Sequence, residues 1–178
     1  MAEVWAATNY TRMASCEVTY EGDEPFAPTG REAEAISTAA PQGPGADNGL
    51  DVVLDVLRLC TRVSDEVGPG GFADADRQTL KAAAGMCPDA PQGRIIAAWA
   101  AGTRVGDGRH EVGFAAMQPG GYQLVKPGPD ASACSWSLSA ADGTPVASGG
   151  AAEAAQNIDL TEGQNFSSDK CGIWGKMV

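Results

Sequence analysis

Residues 134–140 read CSWSLSA and are followed closely by Asp142-Gly143, and these ten residues give the clearest structural signal in the chain. In it a cysteine, a tryptophan and a leucine alternate with serines, so apolar and polar side chains repeat with a period of two. This period places the apolar side chains on one face of a β-strand and the serines on the other. Asp-Gly favours the tight turn of a β-hairpin. The stretch therefore predicts a half-buried strand that turns back into a second strand.

Short runs of similar character occur on both sides of this strand. They are HEVG at 110–113, GYQLV at 121–125, TPVAS at 144–148, QNIDL at 156–160, QNFSS at 164–168 and CGIW at 171–174. Glycine, proline and aspartate separate the runs, and short strands at this spacing indicate a small all-β sandwich or barrel. We therefore predict a C-terminal β-module over residues 103–178.

The preceding segment, residues 49–102, has helical periodicity instead. Its first apolar residues recur at i, i+3, i+4 and i+7, namely Leu50, Val53, Leu54, Leu57 and Thr61. A Gly-Pro-Gly-Gly run at 68–71 interrupts the pattern, a second helix is expected over 74–86, and a third ends at Gly102. The predicted fold class is α+β, with a short block of two to three helices followed by the β-module.

Residues 1–48 are predicted to form an extended N-terminal arm. Residues 3–22 are rich in strand-favouring side chains, including Trp5 and Tyr10, which predicts one or two short strands. Proline and glycine are frequent over 23–47, and PQGPGADNG at 41–49 is a cluster of breaker residues. We therefore interpret residues 23–47 as a linker.

The charge of the chain excludes several classes of partner. The 178 residues include 23 acidic and 12 basic side chains, which gives a net charge of −11. Such a chain is repelled by nucleic acids and by anionic membrane surfaces, so no nucleic-acid partner is expected. No run approaches the roughly 18 consecutive apolar residues that a membrane-spanning helix needs, so no transmembrane segment is expected.

Five cysteines, without a CxxC pair and with a single histidine in the chain, indicate disulfides rather than a metal site. By segment, Cys60 pairs with Cys87 and Cys134 pairs with Cys171, although spacing alone leaves the connectivity open. Cys16 is then left over. Disulfides persist in oxidising compartments, so we expect a protein on the extracellular or cell-surface side of the membrane. The N-terminus lacks the features of a signal peptide, and a cytoplasmic location is the alternative.

Catalytic motifs are absent from the sequence. No G-x-S-x-G, HExxH or Walker loop occurs. A mechanism with a histidine base would have to use His110, and no nucleophile motif accompanies that residue. We therefore expect no catalytic residue, no metal and no cofactor, with an unrecognised hydrolase as the alternative.

Four motifs in the C-terminal half carry a family resemblance. They are DGRHEVG at 107–113, QPGGYQLV at 118–125, CSW at 134–136 and FSSDKCGIW at 166–174. Together they resemble a PGxY…CxW…CGxW module of exported and lipoprotein-type proteins from high-GC Gram-positive bacteria. The likeness extends over about residues 80–176, with His110 where an aromatic residue is common and an extra glycine in the PGxY step. It implies export and a Cys134–Cys171 bond, and the module has no assigned reaction.

The large aromatic residues of the β-module allow two interpretations. A small domain needs rings such as Tyr122, Trp136, Phe166 and Trp174 for its core. Alternatively, Tyr122, Trp136 and Trp174 contact a ligand or partner. Tyr122 is the best surface candidate of these, because it follows a Pro-Gly-Gly turn and its hydroxyl group prefers water.

These observations favour a non-enzymatic, exported accessory or structural protein that docks on a larger assembly. The assembly would be a membrane complex, a cell surface or a phage particle, contacted through the N-terminal arm and its Trp5 and Tyr10. Arms of this composition commonly become ordered on a partner. The alternative function is a glycan- or cell-wall-binding module that uses the aromatic residues of the β-module.

Overall fold

The computed structural model describes residues 17–23, 25–62, 71–114, 116–154 and 157–177. The chain divides into two compact units, residues 1–100 and 101–178. The described part of the first unit is helical, and the second is built mainly from β-strands. The fold is therefore α+β, as predicted.

The described part of the first unit has helices α1 (Gly30–Ala39), α2 (Leu50–Thr61), α3 (Arg77–Met86) and α4 (Gly93–Ala101), the last of which ends where the second unit begins. The helices α2, α3 and α4 match the three helices predicted from periodicity. The Asp47 side chain accepts the backbone N–H of Asp51 at 2.7 Å at the start of α2. At the start of α3, the Asp76 side chain accepts two backbone N–H groups.

Helix α1 shows that the linker predicted over 23–47 is wrong for residues 30–39. Thr29 and Glu32 form a capping box, in which the Thr29 backbone N–H donates to the Glu32 carboxylate at 2.6 Å. Ala35 and Ile36 are buried, and α1 packs against α2 and α3. The prolines on either side of this run bound a helix, so residues 30–39 belong to the helical unit rather than to an arm.

The strands predicted over 3–22 are not found in the part of that range that is described. Residues 17–22 form no strand. Residues 3–16, with Trp5, Tyr10 and Cys16, lie outside the described residues. The prediction for those positions therefore stays a prediction.

The buried face of α2 differs from the face predicted by periodicity. The residues buried in this helix are Val53, Val56, Leu59 and Cys60. Leu50, Leu54 and Leu57 are only half-buried. Because Cys60 is bonded to Cys87 at the end of α3, the covalent link turns the Cys60 side of α2 towards the core. The predicted helix is confirmed, but its buried face lies further around the helix than the predicted face.

The Cys60–Cys87 disulfide lies beside a buried glutamine. The two Cα atoms are 6.0 Å apart and both side chains are buried. The completely buried Gln92 donates its side-chain amide to the backbone carbonyls of Cys60 and of Arg62, the latter at 2.5 Å. A buried carbonyl without a partner is costly, so Gln92 stabilises the end of α2 where its last carbonyls lack helical partners.

The second unit is a sandwich of two antiparallel four-stranded sheets, in the orders β1-β8-β3-β6 and β2-β7-β4-β5. The strands are β1 (Arg104–Val105), β2 (Gly108–Glu111), β3 (Gly120–Pro127), β4 (Ser135–Ser139), β5 (Pro145–Gly150), β6 (Ile158–Leu160), β7 (Asn165–Asp169) and β8 (Gly172–Lys176). The short helix α5 (Ala151–Ala154) follows β5. The predicted β-sandwich is confirmed.

Residues 134–143 form strand β4 and the turn of the predicted hairpin with β5. Trp136 and Leu138 are buried, and the serines between them face outwards. In the turn, the Asp142 carboxylate accepts the Thr144 backbone N–H at 2.9 Å, which lowers the pKa of Asp142 below its ordinary value. Period-two alternation therefore identified both the strand and its buried face.

The core of the sandwich is aromatic. The Phe166 and Trp174 rings meet edge to face with centroids 5.0 Å apart, and Trp136 approaches Trp174 at 6.4 Å. Tyr122 is completely buried, and its hydroxyl donates to the Gly102 carbonyl at 2.7 Å. The prediction that Tyr122 lies at the surface is therefore wrong, because a backbone acceptor replaces the water that its hydroxyl needs. The Cys134–Cys171 disulfide joins two buried residues of this core.

Candidate functional site

Among the described residues, the three predicted contact residues of the β-module are buried and do not form a ligand platform. Tyr122 and Trp174 have no exposed surface, and Trp136 is buried with 7% of its surface exposed. Trp5 and Tyr10, the other two predicted contact residues, lie outside the described residues. The four predicted disulfide cysteines form the bonds Cys60–Cys87 and Cys134–Cys171, which are the pairings expected from the sequence.

The His110 ring is held by contacts within the protein. Its Nε2 atom lies 2.9 Å from the Gly106 carbonyl oxygen, and its ring stacks against Phe166 with centroids 6.5 Å apart. Within the described ranges, no group of three histidine, cysteine, aspartate or glutamate side chains is arranged to bind a metal ion. In the same ranges, no helix combines the length and apolar character needed to span a bilayer.

An apolar pocket lies on the helical unit, inside the segment that was predicted to be a linker. We call it the 28–48 pocket; its volume is about 500 Å³, and its apolar lining is Pro28, Ala33, Ile36, Ala40, Pro41 and Pro44. Ser37 and Asn48 contribute polar groups. Pockets with apolar walls and a few polar groups are the usual form of a binding site.

The local sequence explains why the 28–48 pocket forms. Helix α1 ends at Ala39, and the Ala40 N–H still donates to the Ile36 carbonyl at 2.8 Å before Pro41 stops the helix. The Asn48 amide then donates to the Phe26 carbonyl at 3.2 Å and holds the returning chain beside the segment that leads into α1. Gly49 has φ +86°, and a side chain there would collide with Ile36. The apolar residues of α1 are the feature of the sequence that could have indicated the pocket. The flanking prolines led instead to the prediction of a linker.

The segment that forms this pocket is rich in acidic side chains. Residues 28–51 contain the carboxylates Glu32, Glu34, Asp47 and Asp51 and one basic residue, Arg31. The backbone N–H of Asp51 donates to the Asp47 side chain and is the main cause that lowers the pKa of Asp47. The Asp47 carboxylate is therefore ionised at neutral pH. The result is an apolar opening on a segment of negative charge.

A second concave surface lies on the outer face of the β2-β7-β4-β5 sheet. We call it the serine trough; it has a volume of about 370 Å³ and is lined by Arg109, Glu111, Ser137, Ser139, Asn165 and Ser167, together with His110 and Phe166. A shallower depression with Pro145, Val146 and Ser148 adjoins it and shares Ser137 and Ser139. The two together extend over all four strands of the sheet. The outward serines were visible in the sequence, but their neighbours on other strands depend on register.

No protein-family model matches the chain, and comparisons with curated proteins and with solved structures found no match. The geometry of the two surfaces is therefore the basis for the functional proposals below.

Proposed function

We propose that this protein is a non-enzymatic, exported accessory protein that docks on a larger assembly, and that the 28–48 pocket is its docking surface. The proposal keeps the docking role in the first 48 residues and assigns it to a folded site. It includes membership of the exported family that the C-terminal motifs resemble. Two buried disulfides support export, because such bonds persist in oxidising compartments.

The observation that carries the proposal is an open apolar pocket on an otherwise acidic unit. The pocket is lined by three prolines, three alanine or isoleucine side chains and little polar surface. Apolar surface of this kind is stabilised when a partner covers it. The prolines and the capped helix hold the pocket walls in place. Little free energy is therefore spent on ordering the pocket when a partner binds.

The charge of the segment that forms the pocket supports a basic partner. Four carboxylates and one arginine occupy residues 28–51. A partner segment with an apolar or aromatic side chain flanked by lysine or arginine would fill the pocket and pair with these carboxylates. The whole chain's charge of −11 would steer such a basic segment towards the protein.

His110 fits a packed strand residue, because its Nε2 atom contacts the Gly106 carbonyl and its ring stacks on Phe166. The glycan-binding alternative is not proposed on Tyr122, Trp136 and Trp174, since these side chains are buried.

Short peptides test the partner chemistry directly. The full chain, labelled with ¹⁵N, would be titrated with a tryptophan flanked by lysines, the same peptide with glutamates, and a lysine peptide with serine in place of tryptophan. We expect amide shifts at Ala33, Ser37 and Ala40 with the first peptide alone, weakening as salt is added. Equal shifts with all three peptides, or none with the first, would refute the proposed partner chemistry.

A pocket-filling variant provides the second test. Ala33 is exposed on α1 and lines the pocket, so Ala33→Trp should occlude it without disturbing the core. Ala97 is equally exposed on α4 and does not line the pocket, so Ala97→Trp is the matched control. Binding of the lysine-tryptophan peptide should fall at least tenfold in Ala33→Trp and stay unchanged in Ala97→Trp.

A further inference from the structure

The serine trough has a floor of aligned hydroxyl groups. Ser137 on β4 is in register with Ser167 on β7 and with Ser148 on β5, so three hydroxyl-bearing residues form one row across the sheet. Arg109 on β2 continues that row, since it pairs with Ser167. Neighbouring strands are about 4.8 Å apart, so the row is roughly 15 Å long.

A parallel row lies one pleat away along the strands. Ser139 on β4 is paired with Asn165 on β7, which is paired with Glu111 on β2. This row offers a hydroxyl, an amide and a carboxylate. Small side chains therefore occupy the middle of the face, and the long side chains of Arg109 and Glu111 stand at the β2 edge. The contrast in side-chain length makes the face concave.

The polar groups of the trough are available to a ligand. Within the described part of the chain, six of the polar lining side chains, all except His110, have no hydrogen-bond or ion-pair partner in the protein. Arg109 and Glu111 bring one positive and one negative charge to the same edge. The exposed Pro145 and Val146 close the opposite, β5 edge with apolar surface.

We propose that the serine trough binds a neutral oligosaccharide. Its two rows present both hydrogen-bond donors and acceptors, and hydroxyl, amide, guanidinium and carboxylate groups all bond to sugar hydroxyls. An elongated polyhydroxyl chain lying across the four strands meets both rows along its length. The apolar C–H surface of a sugar ring rests on Pro145 and Val146 at the β5 edge.

The polar and charged groups of the trough disfavour the competing ligand classes. Glu111 lines the trough beside Arg109, and Asp169 lies further along the outer face of β7, outside the trough lining, so an anionic ligand finds no net positive charge there. A wholly apolar ligand would leave the serine and asparagine groups without hydrogen-bond partners. A neutral ligand rich in hydroxyl groups satisfies them all.

This binding site is separate from the proposed docking function. The trough belongs to residues 101–178, and the 28–48 pocket belongs to residues 1–100. The two proposals therefore fail independently. The Ala33→Trp variant should lose the basic peptide and keep the sugar.

The test is a titration of the ¹⁵N-labelled full chain with neutral tetrasaccharides of glucose, mannose, galactose and N-acetylglucosamine, and with a sulfated tetrasaccharide. At millimolar concentration, at least one neutral sugar should shift the amides of Ser137, Ser139, Asn165 and Ser167. The sulfated sugar should bind more weakly. If no neutral sugar shifts these amides, or if the sulfated sugar binds the trough more tightly, the proposal is overturned.

Hydroxyl-deletion variants locate the site. Ser137→Ala with Ser167→Ala removes the centre of one row and should weaken binding of the same sugar at least about tenfold. Ser132 is an exposed serine outside the trough, so Ser132→Ala is the matched control and should leave the affinity unchanged. An equal affinity in the double variant and the wild type would contradict the assignment.

Discussion

Tyr122 and Gly102 are joined by a buried hydrogen bond, in which the phenol hydroxyl donates to the backbone carbonyl at 2.7 Å. The side chain of Tyr122 is completely buried at the centre of the sandwich. This bond fixes Gly102, near the start of the second unit, against strand β3 of the same unit. A residue that sequence reasoning placed at a ligand site is instead part of the core.

Tyr122→Phe should lower the free energy of unfolding by about 1 kcal/mol, because the Gly102 carbonyl loses its side-chain partner inside the core. Chemical denaturation of the variant and the wild type measures the difference. Tyr20→Phe is the matched control, since the Tyr20 hydroxyl donates to the Asp23 carbonyl at the exposed surface. A loss no larger for Tyr122→Phe than for Tyr20→Phe would contradict the structural role of the bond.

Asp107→Ala should destabilise the β-unit by about 1–2 kcal/mol. One carboxylate oxygen of Asp107 accepts the Cys171 N–H at 3.0 Å, and the other accepts the Gly172 N–H at 3.0 Å. This contact gives a structural reason for the motifs Asp107-Gly108 and Cys171-Gly172. Asp130→Ala is the control, because Asp130 makes no side-chain cap hydrogen bond at its short helix. Equal thermal unfolding of the two variants would argue against this contact.

Removal of either disulfide should destabilise its own unit. The bonds close loops with sequence separations of 27 and 37 residues, for which chain entropy gives about 3.5–4 kcal/mol each. Two double variants remove one bond each, Cys60→Ala with Cys87→Ala and Cys134→Ala with Cys171→Ala. Both should therefore unfold at a clearly lower denaturant concentration than the wild type. A non-reducing peptide map verifies the connectivity first; any link other than Cys60–Cys87 and Cys134–Cys171 would overturn it.

The pH dependence of stability should include a loss on the acidic side. The carboxylates of Asp47, Asp142 and Glu153 each accept a backbone N–H, and these hydrogen bonds lower their pKa values. The main donors are Asp51, Thr144 and Gly150, in that order. A carboxyl group whose pKa is lower in the folded state stabilises that state above its unfolded pKa. This contribution is lost as the pH falls through the folded value, that is, below about pH 4.

A triple variant, Asp47→Asn, Asp142→Asn and Glu153→Gln, tests this contribution. Its denaturation midpoint should change less than that of the wild type between pH 6 and pH 3. Parallel pH profiles for the two proteins would show that these three groups make no contribution.

The sequence predicted best what depends on local periodicity. The alternation in 134–140 identified β4 and its buried face, and Asp142-Gly143 identified the turn that follows. Both follow from the two-residue repeat of an extended chain and the backbone preferences of a tight turn. No knowledge of distant residues was needed.

The features that depend on distant residues could not be predicted in the same way. The burial of Tyr122 depends on the carbonyl of Gly102, twenty residues earlier. Helix α1 was missed because flanking prolines and glycines outweighed the Thr29–Glu32 capping box. The 28–48 pocket follows from that helix and from the Asn48 contact with Phe26, so it was hidden for the same reason.

The central claim, that the 28–48 pocket docks on a partner, is tested most directly by site-specific photocrosslinking in the source cells or particles. The photoreactive residue p-benzoylphenylalanine would replace Ser37 in the pocket, or Ala97 as the control. We predict one dominant crosslinked protein from position 37 and none from position 97, with the crosslink mapped to an apolar side chain within a basic segment. The same products from both positions, or a crosslink to an acidic or polar segment, would contradict the account.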